Sequence, residues 1–293
     1  MLAVRMPDRP PPARPGPLQR SAAIVSLRLG RESALVRWLR PWYERLLDLA
    51  TGGRGYLQTV NQTDAFYVSP KARHLFPNTY EPEVFAFLRR SVPAGATCLN
   101  VGAHVGIYSL ALARWVGPTG RVVAFEPNPG TADLLEQHVR RNEVTDRVTV
   151  VREAVGSLSG KQQFYATGLE GFSRLGMPNS ESPAGPAPAE IVVQLTTIDA
   201  YCDRQGIEPD WIVMDIEGYE LAALEGAVRT IARRAGQMQV VAEFHPALWL
   251  LAGYDARKGH ELLARLGLSP TSLSGQRDLW TEHGVVLLRA AVG

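Results

Sequence analysis

The strongest constraint on this chain is an alternation that begins at Ala96. Short apolar runs at Ala96–Val101, Arg121–Glu126, Val148–Val151, Trp211–Met214 and Gln239–Ala242 take turns with stretches of helical spacing. Strand–helix–strand order predicts an α/β fold, a parallel sheet covered by helices on both faces. Ligands of such sheets sit outside the carboxyl ends of the strands. The chemistry is therefore sought just after Val101, Phe125, Val151, Met214 and Ala242, where polar residues follow in every case.

Local signals fill in the rest. Pro82 opens a helix to about Ser91, at a first-turn position that tolerates proline. Val105–Trp115 reads as helical. Asn128 caps, and Pro129 begins, a helix to about Asn142. Thr197 caps a short helix through Asp203, and Leu221, Leu224, Val228 and Ile231 share one helical face. A further helix lies near Ala256–Leu266. Lys161–Ala166 and Ile191–Leu195 read as strands flanking a long loop, Gly168–Pro188, rich in Gly, Pro and Ser. Asp278–Thr281 and Val285–Leu288 read as a closing antiparallel pair around His283–Gly284.

Three regions follow. Residues 1–20 form a Pro- and Arg-rich tail, expected to be disordered. Residues 21–80 form a small helical and hairpin extension, and residues 81–293 the main domain. In the extension Leu35, Trp38, Leu39, Trp42, Leu46 and Leu49 fall at helical spacing, with Pro41 expected to kink the helix or split it in two. That face reads as a packing surface, with a partner, a second copy of the chain or a membrane surface as the other uses. Residues 56–60 and 65–69 read as a hairpin around Asn61–Asp64.

Composition removes several classes. The 293 residues are 45% hydrophobic, enough for a core. Lys and Arg number 31 against 29 Asp and Glu, so nucleic acid is not an expected partner. Cys98 and Cys202 are too few for a disulfide framework or a cysteine-rich zinc site, and a reduced, cytoplasmic setting is expected. The most apolar window, Cys98–Gly117, contains Asn100, His104 and Arg114 and fails as a membrane span. Met1–Arg20 does not read as a secretory signal.

The strand ends carry the candidate site. After the first strand comes Asn100-Val101-Gly102-Ala103-His104-Val105-Gly106. Gly102 and Gly106 allow a tight turn and close backbone approach, and the next helix offers free N–H groups. A dinucleotide loop wants glycine at position 104, so His104 argues for a single-nucleoside cofactor over a nicotinamide dinucleotide. Glu126 ends the second strand, 20 residues after Gly106, where a carboxylate can accept both ribose hydroxyls. Glu153, after the third strand, could accept from an adenine amino group. Asp215 follows four apolar residues at the fourth strand end, and Glu217 begins the next helix. Glu243 and His245, at the fifth strand end, face one side in an extended segment. With Asp215 they make an acid–base cluster, or a set of two carboxylates and an imidazole acceptable to a divalent metal; no metal is assigned.

Together these segments resemble the FkbM family of S-adenosylmethionine-dependent methyltransferases. The likeness is carried by LNVGAHVG (99–106), AFEPN (124–128), Gly171-Phe172-Ser173, LTTID (195–199), MDIEGYE (214–220) and EFHP (243–246), over about Glu81–Pro246. It implies a class I methyltransferase sheet, Rossmann-like and seven-stranded with the last strand antiparallel. The implied reaction is usually methyl transfer to oxygen, on sugars, glycolipids, polyketides or other secondary metabolites. It also implies that Asn100, Gly102, Ala103, His104, Gly106, Glu126, Asn128, Glu153, Ala154 and Asp215 border the cofactor. Asn100 replaces the Asp more often found there and lacks the charge that would pair with the cofactor's ammonium.

Asp215, Glu243 and His245 are then the expected catalytic residues, with His245 or Asp215 as base because an imidazole titrates near neutrality. Phe172, Ser173 and Glu217 are expected to touch the acceptor, a small molecule or a glycan hydroxyl. Two other readings stand beside this one. One is a metal-assisted O-methyltransferase using Asp215, Glu243 and His245. The other is a non-catalytic interaction protein on the same fold.

Overall fold

The computed structural model describes residues 33–169, 173–175, 189–234 and 236–290. The chain divides into two compact units, one ending at Pro82 and one beginning at Glu83. The tail at 1–20 lies outside the described residues.

In the first unit, helix α1 spans Ala34–Ala50, and the Ser33 side chain accepts from the Val36 N–H as its cap. Pro41 lies inside this helix and does not divide it, contrary to the two-helix expectation. Proline removes one ladder hydrogen bond, and the Leu-, Arg- and Ala-rich turns on either side favour helix. The stripe of Leu35, Trp38, Trp42, Leu46 and Leu49 is exposed, while Leu47 is buried. Strands β1 (Tyr56–Val60) and β2 (Asp64–Val68) form the expected hairpin. Its turn takes Asn61 and Gln62 into the left-handed region at φ 50° and 57°. The Asn61 side chain accepts from the Tyr80 N–H and donates to the Tyr80 carbonyl, tying the turn to the chain that follows.

Helix α2 (Pro82–Ser91) leads into the second unit. There β3 (Thr97–Val101), α3 (Ile107–Trp115), β4 (Arg121–Phe125), α4 (Pro129–Arg141) and β5 (Val148–Val151) alternate as expected. After them come β6 (Glu153–Val155), β7 (Gly160–Ala166), β8 (Arg174–Leu175), β9 (Ala189–Thr196) and α5 (Ile198–Gln205). The unit continues with β10 (Trp211–Met214), α6 (Glu220–Glu225), α7 (Val228–Arg233) and β11 (Gln239–Phe244). It closes with α8 (Ala256–Leu266), β12 (Leu268–Ser272) and β13 (Gly284–Ala290).

The main sheet has seven strands in the order β12-β13-β11-β10-β3-β4-β5. Six run in one direction, and β13, the last strand, lies antiparallel between β11 and β12. The class I methyltransferase architecture expected from the sequence is therefore present. The register pairs Val151 with Phe125, Phe125 with Val101, Val101 with Met214 and Met214 with Ala242. All five carboxyl ends thus form one row, and the polar residues after them emerge along a single edge.

One face of the sheet builds a core from Leu99, Val101, Phe125, Ile212, Met214 and Phe244 against Ile198 and Tyr201 of α5, Leu221 and Leu224 of α6, and Leu262 of α8. Helix α3 packs on β3 and β4, and α4 on β5. Among the described residues no helix is long and apolar enough to cross a membrane.

Two features depart from the sequence reading. Asp278–Thr281 is a turn and not a strand: Asp278 accepts from the Trp280 N–H and the Thr281 hydroxyl. The partner of β13 is instead Leu268–Ser272, whose polar residues and Pro270 hide an edge strand, the one place where a sheet tolerates proline. The strands at 160–166 and 189–196 belong to a separate four-stranded sheet in the order β6-β9-β7-β8. Ala154, Phe164, Leu175 and Val193 of that sheet pack against Tyr219 and Ala222 of the β10–α6 segment.

Candidate active site

The end of the row expected to take the nucleotide is built from backbone. Gly102 has φ +82°, and a Cβ there would be driven into the backbone carbonyl of Asp215, so only glycine lets β3 turn this close to the end of β10. The N–H groups of Gly102 and Ala103 donate to the Phe125 carbonyl at 3.1 and 2.8 Å. His104 takes a left-handed φ of 48°, which aims its N–H at Glu126 Oε2 (2.8 Å). The Asn128 N–H donates to the other oxygen, Oε1, at 2.9 Å. Glu126 is buried, and burial pushes its carboxyl up to about 7 against the lowering pull of those two amides. Each carboxylate oxygen has room for a second donor, as two ribose hydroxyls would require.

His104 and Asn128 also reach across to the following loop. His104 Nε2 lies 2.7 Å from the Leu169 carbonyl, and the Asn128 amide donates to the Gly168 carbonyl at 2.9 Å. Asn128 caps α4 through Oδ1 as expected, accepting from the Gly130 N–H. Ser173 accepts from the Thr167 N–H (3.0 Å) and from the Asn128 amide (3.5 Å), so it faces the nucleotide end. Phe172 and most of the Gly168–Pro188 loop lie outside the described residues. Asn100 is buried and donates its amide to Ser109 at 2.7 Å. Glu153 receives Arg204 Nη2 on both oxygens at 3.3 Å, and Ala154 is buried in the core of the second sheet, to which its strand belongs.

The other end is built from charged side chains. Met214 pairs with Ala242, so Asp215 leaves β10 beside Glu243, which is still paired within β11 to Val285 of β13. His245 Nδ1 lies 2.9 Å from Glu220 Oε1, while its Nε2 faces Glu217 Oε2 at 3.7 Å and Asp215 Oδ1 at 4.0 Å. Glu220 has 0% side-chain exposure. Its oxygens also accept from the Gly218 N–H (2.7 Å) and the Trp249 indole (2.9 Å). Burial pushes the Glu220 carboxyl up, but the His245 charge and these hydrogen bonds outweigh it and leave it below the ordinary range. Burial would lower the His245 imidazole, but Glu220, Asp215 and Glu217 override it and hold the ring up to about 10. Glu217, largely desolvated, is raised.

The carboxylates around His245 favour its protonated form, which has no lone pair for taking a proton, and this counts against His245 as the base. Glu243 is turned toward a different partner, His283 Nε2, at 2.7 Å. The two imidazoles lie 4.6 Å apart, ring centre to ring centre. Ligating atoms of Asp215, Glu217 and His245 lie within 4.8 Å of one another, as do those of Glu243, His245 and His283. The sequence-based set of Asp215, Glu243 and His245 is thus split between two groupings. Glu220 and His283 were missed by sequence reasoning. Glu220 sits inside the MDIEGYE segment but looks like an ordinary acid of a first helical turn, and His283 follows a stretch read as a strand.

Comparison with known proteins gives the same picture. The family model described as the methyltransferase FkbM domain matches residues 100–264. An arginine N(omega)-methyltransferase of Streptomyces achromogenes subsp. streptozoticus is 28% identical over 148 residues, covering 47% of this chain and 40% of that protein. Methyltransferase sdnD of Sordaria araneosa is 26% identical over 162 residues, covering 46% of this chain and 62% of that protein. The chain thus matches less than two thirds of the length of either relative. The crystal structure of a methyltransferase FkbM from Methylobacillus flagellatus KT covers 66% of this chain and 43% of that one, with 22% identity and a TM-score of 0.44. The family match takes in the Gly102 turn, Glu126, the Asp215–Glu220 segment and His245, more than half of the sequence, and the chain belongs to the FkbM methyltransferase domain family.

Proposed function

We propose that the protein is an S-adenosylmethionine-dependent methyltransferase acting on a hydroxyl of a small molecule or glycan, of the sugar, glycolipid, polyketide or secondary-metabolite kind. The observation that carries this reading is the buried Glu126 carboxylate held by the His104 and Asn128 amides beside the Gly102 turn. Gly102, Ala103 and Gly106 would line the adenosyl group and Glu126 would accept its ribose hydroxyls. His104 and Asn128 hold the chain at Gly168–Leu169 across the same end.

When bound, the cofactor supplies an electrophilic methyl group. The chain's own residues must then align the acceptor, exclude water and take up its proton. Asp215, with 40% side-chain exposure at the row of strand ends, is the group that accepts the hydroxyl proton. The His245 imidazolium, fixed from behind by Glu220, positions Asp215 and Glu217 from within 4.0 Å. Glu243 borders the acceptor.

Calorimetric titration with S-adenosylhomocysteine tests the cofactor assignment. Binding that weakens at least about tenfold in Glu126→Ala supports the ribose anchor; equal binding by both proteins removes it. Asp215→Asn should keep that binding and lose turnover.

A second reading concerns the acceptor atom. One relative is named an arginine N(omega)-methyltransferase. Asp215, Glu217 and Glu243 would suit a cationic nitrogen acceptor as well as a hydroxyl. Acid-stable labelled product from an amine, with none from alcohols, would decide for nitrogen.

A further inference from the structure

Arg174 is the most deeply buried arginine among the described residues, at 2% exposure. Its Nε donates to the Leu175 carbonyl at 3.4 Å. Its Nη1 and Nη2 are buried and, among the described residues, have no hydrogen-bond partner. Six other arginines show the opposite arrangement. Arg152, Arg204, Arg229, Arg234, Arg257 and Arg265 are all more exposed, and each lies within 4.0 Å of a carboxylate. The buried guanidinium, by contrast, has no counter-ion in contact among the described residues. A buried charge with open donors is costly, and native proteins keep one where something else completes it.

Its place in the fold says what that is. Arg174 stands on β8, opposite Tyr165 of β7, between two residues with known neighbours. Ser173 touches Asn128 at the nucleotide end, and Leu175 packs with Tyr219 of the β10–α6 segment. Burial dominates the surroundings of the guanidinium, and the Glu217 and Glu220 carboxylates of the β10–α6 segment act against it. The two Nη groups present the planar fork that matches a carboxylate with two parallel hydrogen bonds. Glu217 and Glu220 nearby would repel a doubly charged phosphate more strongly than a singly charged carboxylate.

We propose that Arg174 is the specificity-determining receptor for a carboxylate carried by the methyl acceptor. The substrate class is then a carboxylic acid bearing the methylated hydroxyl or nitrogen, bound by its acid group to β8 while the nucleophile faces Asp215. This rests on the methyltransferase reading above.

Two measurements test it without knowledge of the natural acceptor. The first is the melting temperature of unliganded wild type and Arg174→Met. An open ligand receptor gives a variant that melts several degrees higher, because a costly charge has gone. A variant that melts lower shows that Arg174 is the structural counter-ion of Glu217 and Glu220, and overturns the proposal. The second uses protein saturated with S-adenosylhomocysteine and titrates propionate and benzoate against propionamide and benzamide. At least one acid should bind ten times more tightly than its amide, and this preference should vanish in Arg174→Met. No difference between acids and amides, or a preference that survives the substitution, overturns it. Phenyl phosphate binding better than benzoate would replace the carboxylate with a phosphate and overturn the stated class. Failure of S-adenosylhomocysteine to bind wild type would strike the methyltransferase reading itself, and the melting comparison would still judge Arg174.

Discussion

The two ends of the strand row solve the same problem, holding polar groups at the edge of a buried sheet, in opposite ways. The nucleotide end uses main-chain amides: those of Gly102 and Ala103 on the Phe125 carbonyl, and those of His104 and Asn128 on Glu126. The acceptor end uses side chains in mutual compensation: His245 against Glu220, Glu217 and Asp215, and His283 against Glu243. Amide donors cannot titrate, so they suit a ligand that is always the same. A network of ionisable side chains can be altered one member at a time, which would suit an end whose ligand varies.

The largest expected effect lies in the side-chain network. Glu220→Ala leaves His245 without its contact partner and the Trp249 indole without an acceptor, and should cost about 3–5 kcal/mol by urea unfolding. A cost below about 1 kcal/mol would show that the network is not what holds this end together.

His245→Gln keeps a donor for Glu220 and removes the charge. The ring is raised to about 10 in the folded protein from an ordinary 6.5. Its stabilisation is therefore complete below about pH 6.5 and is lost as pH rises toward about 10. The stability gap between wild type and variant should be roughly 3 kcal/mol at pH 6 and shrink steadily above neutrality. A gap that does not vary with pH would mean that His245 is neutral.

Glu126 sharpens the contrast from the other side. Its carboxyl is raised to about 7 by burial, and ribose donors would favour the ionised form. Cofactor binding should then release protons at pH 7 and tighten as pH rises from about 6 to 8, by about tenfold at most. Calorimetry in buffers of different ionisation enthalpy reads this directly, and Glu126→Ala should abolish the release. Proton uptake on binding would contradict it.

The smallest effect belongs to the His283–Glu243 pair. His283 has 60% side-chain exposure. His283→Ala should change stability by about 0.5 kcal/mol or less. A larger loss would mean that the two imidazoles act as one unit.

Much of the fold could be read in advance because its signals are local. The Pro129 and Thr197 helix starts, the five parallel strands and the Gly102 turn each depend on a handful of adjacent residues. The Leu268–Ser272 strand could not, because an edge strand need not be apolar and Pro270 argues against it locally. Within the site the same division holds. Glu126 and Asp215 announce themselves by following apolar runs directly. The role of Glu220 depends on His245, 25 residues later, and the Glu243–His283 pair spans 40 residues, distances over which only the folded sheet decides who meets whom. Arg174 is the extreme case: its two-residue strand has no pattern to detect.

The seam between Gly102 and the Asp215 carbonyl has a consequence for redesign. Because a Cβ at position 102 would meet the Asp215 carbonyl, the turn after β3 and the end of β10 cannot be moved independently. On the proposed function, a change of acceptor is best sought in the smaller sheet that carries Arg174, with β3 and β10 left untouched.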